Sequence, residues 1–304
     1  MKKLYFIFNL QSGKAKISAK LGMIIDIFTK SGYEVTTRPT QEKLDAADSA
    51  EYACKNGFDM ILCSGGDGTL NEVIQGIMKC DKRLPIGYLP AGSTNDFAKG
   101  MEISTNIEEA VGDIVSGIPS LCDIGSFNSR KYFTYIAAFG AFTEVTYETS
   151  QLVKNLLGHV AYILNGLTRL NKIKSYHMKI TFDDQEIEEN YIFGMVTNSS
   201  SIAGLLSLND FLYDDGLYEV TLIKTPSNMI DLQRIIHSLL NLDIDLDTRY
   251  IKSFRTSKIK FECDEDINWT LDGEFGGSCK CAEIENVKQA VQFITKKTEE
   301  NDGE

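Results

Sequence analysis

Strand-like and helix-like patterns alternate over the first 120 residues, and this alternation constrains the fold more than any other feature. Short apolar runs predict strands at residues 4–9, 33–38, 58–63 and 85–89. Apolar residues at helical spacing predict helices at residues 21–28, 42–56, 69–77 and 105–117. Strands separated by helices in this way are typical of βαβ units, so we expect an α/β domain with a parallel sheet.

The pattern changes after about residue 121. Short β-rich segments separated by turn residues follow, at 131–138, 178–182, 191–198, 218–223, 258–263 and 268–271. This spacing predicts an antiparallel sandwich or barrel, with helical interruptions at 151–171 and 227–241. Residues 286–297 also have helical periodicity, and we expect this terminal helix to return to the first domain. The predicted domains are 1–125 with 286–298, and 126–285, followed by a disordered tail at 299–304.

The composition excludes several classes of protein. Lys and Arg number 31 against 43 Asp and Glu, and the net charge of −12 repels nucleic acid phosphates, so we expect no nucleic acid partner. Seven scattered cysteines do not form a disulfide pattern and favour a cytoplasmic protein. The apolar run after Lys3 is too short for a signal peptide, and no run reaches the ~18–20 apolar residues of a membrane span. Any membrane contact is therefore expected to be peripheral.

The strongest local motif is the glycine-rich turn Gly65-Gly66-Asp67-Gly68-Thr69, which follows a predicted strand and opens a predicted helix. Glycines let backbone amides approach phosphate oxygens closely at a positive helix end. Asp67 would repel a bare phosphate, so its presence favours a divalent cation between the carboxylate and the phosphate. The alternative is a glycine-rich turn that only caps the helix.

Two further turns of small and polar residues follow predicted strands of the same sheet. They are Asn9–Lys14 and Pro90–Ala98. Ligands of open α/β sheets bind outside the carboxyl ends of the strands, so we expect these turns to share one edge with residues 65–69. A strand-to-helix connection capped by Ser12 is the alternative for the first turn.

Two acidic turns stand out in the second half of the chain: Asp214-Asp215-Gly216 and Leu271-Asp272-Gly273-Glu274. Carboxylates at a turn can serve as a general base or as a metal ligand. Asp-Gly is also the commonest sequence of a tight hairpin turn, so each segment has a plain structural alternative.

Three of these motifs together resemble the bacterial diacylglycerol kinase and related lipid kinase family. They are Gly65–Asn71 (GGDGTLN), Pro90–Ala98 (PAGSTNDFA) and Leu271–Glu274 (LDGE), in that order. The resemblance covers roughly residues 1–297. It implies a doubly wound, mostly parallel α/β nucleotide-binding domain followed by an all-β sandwich, with a C-terminal helix that returns to the first domain. It also implies ATP and Mg²⁺ as cofactors.

The resemblance assigns roles residue by residue. The expected nucleotide contacts are Asn9, Leu10, Gln11, Ser12, Gly13, Thr40, Gly65, Gly66, Asp67, Gly68, Thr69, Leu70, Asn71 and Ser93. Leu10 departs from the family, which usually has proline there. Glu274 matches the general base, with Asp272 beside it, and Asp67 is expected to take part in catalysis. A structural Mg²⁺ site is implied at Leu212, Asp215 and Leu217, and Asp96 and Asp123 match acidic residues of a water–Mg²⁺ network.

One basic stretch has two interpretations. Thr149–Phe182 contains no acidic residue and five basic ones, Lys154, Arg169, Lys172, Lys174 and Lys179, beside apolar residues at helical spacing. It is either a packed helix with solvated basic ends or a segment that lies on an anionic membrane surface.

The sequence thus predicts an ATP- and Mg²⁺-dependent kinase that phosphorylates a lipid hydroxyl, foremost that of diacylglycerol. We expect it to work at the inner face of the cell membrane, and the resemblance admits a homodimer. The alternatives are a kinase of NAD, whose relatives share GGDGT, and a non-catalytic lipid-binding module that responds to nucleotide.

Overall fold

The computed structural model describes residues 1–12, 16–93, 95–140, 173–198, 214–240 and 249–296. The chain divides into two compact units, the first formed by Met1–Asp123 with the segment from Gln289 onward, and the second by Ile124–Lys288. The chain therefore leaves the first unit after residue 123 and re-enters it at residue 289. No helix among the described residues is long and apolar enough to cross a membrane.

The first unit is an α/β structure. Its strands are β1 (Lys2–Phe8), β2 (Tyr33–Pro39), β3 (Met60–Gly65) and β4 (Ile86–Pro90). Its helices are α1 (Lys16–Lys30), α2 (Asp45–Lys55), α3 (Asp67–Ile77), α4 (Asp96–Gly100) and α5 (Ile107–Ser116). The strands pair in parallel in the order β2-β1-β3-β4, as the alternation of strands and helices predicts.

Apolar side chains of β1 are the centre of one core cluster in this unit. Leu4, Phe6 and Phe8 pack with Ile24 and Phe28, which lie four residues apart on α1. Positions four apart share one face of a helix, so α1 presents an apolar stripe to the sheet. Each such side chain contributes about 1.5–3 kcal/mol when it leaves water, and this burial holds the strand ends in place.

The second unit is built mainly from antiparallel strands. They are β5 (Ile118–Phe127), which begins in the first unit, β6 (Lys131–Phe133), β7 (Ile136–Gly140), β8 (Tyr176–Phe182), β9 (Gln185–Thr197), β10 (Tyr218–Lys224), β11 (Ile251–Thr256), β12 (Lys258–Leu271) and β13 (Glu274–Thr295). Helix α6 spans Met229–Leu240. The pairing order is β11-β10-β9-β7-β12-β13, and β8 pairs with both β9 and β12. Trp269, Phe139 and Phe261 meet in its core with ring centroids 5.0–5.6 Å apart.

The prediction of a C-terminal helix at 286–297 is wrong, because these residues continue strand β13 up to Thr295. The chain does return to the first unit, but as a strand, in which Phe293 pairs in parallel with Ile86 of β4. Phe293 is fully buried, and its ring lies 4.6 Å from that of Phe97. Pairing with a distant strand outweighs a helical spacing of apolar residues, which is only a local preference.

Candidate active site

The residues that directly follow β1, β2 and β4 hydrogen-bond to the carboxyl ends of neighbouring strands. The amide of Asn9 donates to the Ser64 carbonyl at 2.9 Å, and the amide of Thr40 donates to the Phe8 carbonyl at 2.9 Å. The amide of Ala91 donates to the Gly65 carbonyl at 2.8 Å. The predicted loops at residues 9–12, 40, 65–69 and 91–93 therefore lie side by side at one edge of the sheet.

The glycine-rich loop touches the loop after β4 backbone to backbone. A Cβ atom on Gly92 would lie 2.5 Å from the Cα of Gly66, so the contact requires glycine at this position. Asn95 closes the second loop: its Oδ1 accepts from the Gly92 amide at 2.8 Å, and its Nδ2 donates to the Gly92 carbonyl at 3.0 Å. Asn95 has φ of 51°, a left-handed conformation that asparagine tolerates better than most residues. Asn95 lies within the Pro90–Ala98 motif, but the motif predicted no role for it, although asparagine after small turn residues is a usable signal.

Asp67 joins the two loops through its side chain. Its Oδ2 accepts from the amide of Asp96 at 3.1 Å, and its Oδ1 accepts from the amide of Phe97 at 3.2 Å. These amides belong to the first turn of α4, where the helix dipole favours a negative charge. The half-buried carboxylate of Asp67 therefore holds the two loops together at the sheet edge.

A second carboxylate lies close to Asp67. Asp96 is 3% exposed, and the Lys99 ammonium lies 3.3 Å from its Oδ1. Burial raises the pKa of Asp96, the charge of Asp67 raises it further, and Lys99 opposes both effects. The raised pKa reflects burial first and the neighbouring charge of Asp67 second, and a divalent cation with oxygen ligands would balance that charge.

Other predicted nucleotide contacts play different structural parts. The Asn9 side chain accepts from the Gln11 amide at 2.8 Å and so shapes the loop after β1. Leu70 is buried in the core, and the Asn71 side chain accepts a hydrogen bond from Gln75 at 3.1 Å. Leu10 and Ser93 are exposed at the edge. Gly13, Lys14 and Thr94 lie outside the described residues.

The Leu271–Glu274 segment is a tight hairpin turn between β12 and β13. Leu271 pairs with Glu274, and the two residues between them, Asp272 and Gly273, have φ of 49° and 83°. Positive φ at both central residues is the type I′ turn that Asp-Gly favours. The turn places the exposed Glu274 at the beginning of β13.

Asp272 is occupied by hydrogen bonds. Its Oδ2 accepts from the Thr134 amide at 2.7 Å and the Thr134 hydroxyl at 2.9 Å, and its Oδ1 accepts from the amides of Tyr135 and Ile136 at 3.0 and 3.1 Å. Burial raises the pKa of Asp272, and these hydrogen bonds counteract that rise. Since four donors surround this buried carboxylate, the exposed Glu274 is the better candidate for a general base.

The predicted structural magnesium site stays a prediction, since Leu212 lies outside the described residues. The Asp215 Oδ1 accepts from the amide of Leu217 at 2.9 Å, and its Oδ2 forms an ion pair with Arg255 of β11. A cation at Asp215 would compete with that guanidinium. Asp123 is fully buried, and its Oδ1 accepts from the Gln289 amide at 2.6 Å, where β13 enters the first unit.

The basic stretch Thr149–Phe182 is described only from residue 173 onward, so Lys154, Arg169 and Lys172 lie outside the described residues. Lys174 pairs with Glu265 at 3.0 Å, and Lys179 of β8 pairs with Glu186 of β9 at 2.9 Å. Acidic residues on neighbouring strands therefore compensate these two lysines. The sequence could not show this, since the partners lie outside the stretch.

A polar, glycine-rich edge at the carboxyl ends of parallel strands defines a class of α/β proteins that bind phosphate compounds. Residues 3–127 match the family described as diacylglycerol kinase catalytic domain. The chain is 31% identical over 279 residues to the diacylglycerol kinase of Bacillus subtilis (strain 168), covering 91% of each protein. It is also 31% identical over 301 residues to the diacylglycerol kinase of Staphylococcus carnosus (strain TM300), covering 99% of this chain and 97% of the relative.

The fold has a solved counterpart. A crystal structure of a diacylglycerol kinase from Bacillus anthracis superposes with a TM-score of 0.72 at 21% identity, over 97% of each chain. Because the two relatives are 31% identical to this chain over more than nine-tenths of its length, the chain belongs to the diacylglycerol kinase family, and it is a kinase. The resemblance inferred from the three motifs is confirmed.

Proposed function

We propose that this kinase transfers the γ-phosphate of ATP, with Mg²⁺, to the hydroxyl of a membrane lipid, foremost diacylglycerol, to give phosphatidic acid. The observation that carries the proposal is the sheet edge on which the three predicted loops come together. The names of the relatives from Bacillus subtilis and Staphylococcus carnosus supply the substrate class.

The glycine-rich loop is the proposed phosphate-binding element. Gly65 and Gly66 leave its backbone without side chains, and helix α3 begins directly after them at Asp67. Amides at a helix N-terminus favour anionic phosphate groups. Asn9, Thr40 and Ser93, on the neighbouring loops, are proposed to contact the rest of the nucleotide.

Asp67 and Asp96 fit a magnesium ion. Mg²⁺ prefers oxygen ligands. Burial raises the pKa of Asp96, and the negative charge of Asp67, which a cation would balance, raises it further. A bound magnesium ion would supply charge neutralisation during phosphoryl transfer. Lys99 offsets part of this charge when it pairs with Asp96.

Glu274 is the proposed general base. Its exposed carboxylate can accept the proton of the lipid hydroxyl while the hydroxyl oxygen forms its bond to phosphorus and the bond from phosphorus to the departing ADP oxygen breaks. Asp272 acts as a positioning residue, because its four hydrogen bonds fasten the turn that presents Glu274.

The test is a transfer assay with radiolabelled ATP and purified protein. The acceptors are diacylglycerol, phosphatidylglycerol, a sphingoid base and a polyprenol in mixed micelles, with NAD as the soluble alternative. We expect label in the diacylglycerol fraction, dependent on Mg²⁺. Label in NAD and in no lipid would overturn the proposal and favour the small-molecule kinase. No transfer to any acceptor, with nucleotide still bound, would favour the non-catalytic module.

The proposed partner is the lipid surface at the inner face of the cell membrane, which the protein would meet peripherally, and a homodimer belongs to the same proposal. Sedimentation with and without lipid vesicles measures both properties. A protein that remains monomeric and unbound at saturating lipid would remove this part of the proposal while leaving the chemistry intact.

A further inference from the structure

A β-bulge interrupts strand β13 just after Glu274. Thr270 pairs with Phe275 and Trp269 pairs with Gly277, so Gly276 is an extra residue without a partner in the ladder. A Cβ on Gly276 would lie 2.8 Å from the Cγ of Leu271, and Gly277 has φ of 121°. Both glycines therefore suit the bulge, and it turns the Gly276 carbonyl toward Lys131, whose ammonium donates to it at 2.8 Å.

A cavity of about 410 Å³ lies between this bulge and the turn that joins β5 to β6. Phe127 and Cys279 give it an apolar part, and Arg130, Lys131 and Ser278 give it a polar part. The turn is held to β13 by Asn128, whose Oδ1 accepts from the amide of Glu283 at 2.7 Å. The cavity is therefore built from two fastened elements of the second unit.

The two cations of this cavity differ from most others of the second unit. Lys174, Lys179, Lys224, Arg255, Lys258 and Lys260 all form ion pairs with carboxylates. Within the described ranges Arg130 and Lys131 form none, although the protein has a net charge of −12. Arg130 and Lys131 are therefore two adjacent cations that line a cavity and have no carboxylate partner in the described part of the chain. A bound anion would balance their charge.

We propose that this cavity binds a phosphate-bearing anion through Arg130 and Lys131, either inorganic phosphate or the headgroup of an anionic phospholipid. The guanidinium offers two parallel donors to phosphate oxygens, Lys131 adds a point charge, and the Ser278 hydroxyl adds a donor. Phe127 and Cys279 would face the less polar part of a headgroup. The site is separate in its residues from the nucleotide loops and from Glu274, so it goes beyond the proposed kinase reaction.

Trp269 is a built-in reporter for binding. It is the only tryptophan of the chain, it pairs with Gly277, and its ring centroid lies 5.4 Å from that of Phe127. Its fluorescence is titrated, without nucleotide, with inorganic phosphate, with monomeric short-chain phosphatidylglycerol, and with the matching diacylglycerol that lacks phosphate. We expect a saturable change with one or both phosphate compounds that Arg130→Gln weakens. A change with the diacylglycerol, the proposed substrate at Glu274, should be the same in Arg130→Gln as in wild type.

The probes also identify the source of the anion. Saturation by inorganic phosphate assigns the site to free phosphate, and saturation by phosphatidylglycerol alone assigns it to a headgroup. Either result supports the proposal. No saturable change with either phosphate compound, or a change that Arg130→Gln and Lys131→Gln leave as in wild type, would overturn it.

Variants locate the response. Arg130→Gln and Lys131→Gln should each weaken binding about tenfold, as expected for the loss of one hydrogen bond to a charged group, whereas Lys131→Arg should retain it. Lys280→Gln is the matched control, because Lys280 is exposed on the same strand outside the cavity. Bound anion should also slow alkylation of Cys279 but not of the exposed Cys281. Unchanged affinity in both glutamine variants, or equal loss in the Lys280 control, would contradict the assignment.

Discussion

Asp67 of the first unit and Asp272 of the second unit are alike in sequence, since each stands beside glycine in a turn that follows a strand. Each also accepts backbone amides from a segment remote in sequence. Asp67 accepts two such amides and stays half-buried beside Asp96. Asp272 is buried and accepts from three amides and one hydroxyl.

The difference shows that the number of hydrogen-bond donors around a carboxylate decides whether it can bind a cation or a proton. Asp272 has four donors at its two oxygens, so it fastens the turn, and Glu274 two residues on is the proposed general base. Asp67 has donors as well, but its charge adds to the effect of burial in raising the pKa of Asp96, and these two carboxylates are the proposed cation site. Asp67 is therefore proposed to bind a cation as well as to join two loops, and Asp272 is proposed to position the turn.

The largest expected effect comes from Asp272→Ala. The substitution leaves the amides of Thr134, Tyr135 and Ile136 without their acceptor, and each buried orphan donor costs about 1–3 kcal/mol. We expect the free energy of unfolding to fall by at least about 3 kcal/mol, measured by urea denaturation with circular dichroism. A loss below about 1 kcal/mol would show that the turn does not depend on this carboxylate.

Asp67→Asn tests the other half of the comparison. Asparagine retains one acceptor oxygen for the amides of α4 but loses the charge, so stability should fall by only about 1 kcal/mol. The kcat should fall by at least about 10²–10³, because charge that positions a cation acts in the transition state. Near-normal kcat with the same small loss of stability would make Asp67 a capping residue only.

Magnesium without nucleotide should stabilise the protein through Asp215, if that residue binds a cation. A ligand that binds only the folded state raises the free energy of unfolding by about 1.4 kcal/mol when its concentration is ten times its Kd. Because Arg255 competes for the carboxylate, the increase in Tm with Mg²⁺ should be larger in Arg255→Gln than in wild type and smaller in Asp215→Ala, in which only the proposed cation at Asp67 and Asp96 remains. An equal increase in all three proteins would place the ion elsewhere.

The smallest expected effect is that of Asp96→Asn on stability. A raised pKa means that the folded protein binds this proton more tightly than the unfolded chain does, so the stabilisation from protonated Asp96 is lost as pH rises through its folded-state value. The variant should therefore be more stable than wild type at pH 7 without magnesium, and the gain should shrink toward pH 3.8, the ordinary value for Asp. Denaturation curves at several pH values check this, and a gain that grows on acidification would contradict it.

Local patterns in the sequence predict the first unit well, because each strand and helix there has its own periodicity and the turns follow directly. They fail for β13, where a helical spacing at Val287, Ala290, Val291 and Ile294 is overruled by pairing with β4. They also leave the choice between Asp272 and Glu274 open, since the donors that occupy Asp272 lie about 136–138 residues away. The cavity beside the bulge also depends on a contact between residues far apart in sequence, because the turn after β5 lies against Gly276.

The most direct test of the account is the rate of phosphoryl transfer from ATP to diacylglycerol in mixed micelles by Glu274→Gln. Glutamine cannot accept the hydroxyl proton, and general base catalysis is worth about 10²–10⁴ in rate. Since Glu274 is exposed, the free energy of unfolding of the variant should lie within about 0.5 kcal/mol of the wild-type value. We predict a loss of kcat of at least about 10² with unchanged stability. Retention of wild-type kcat would contradict the central claim that this turn presents the base.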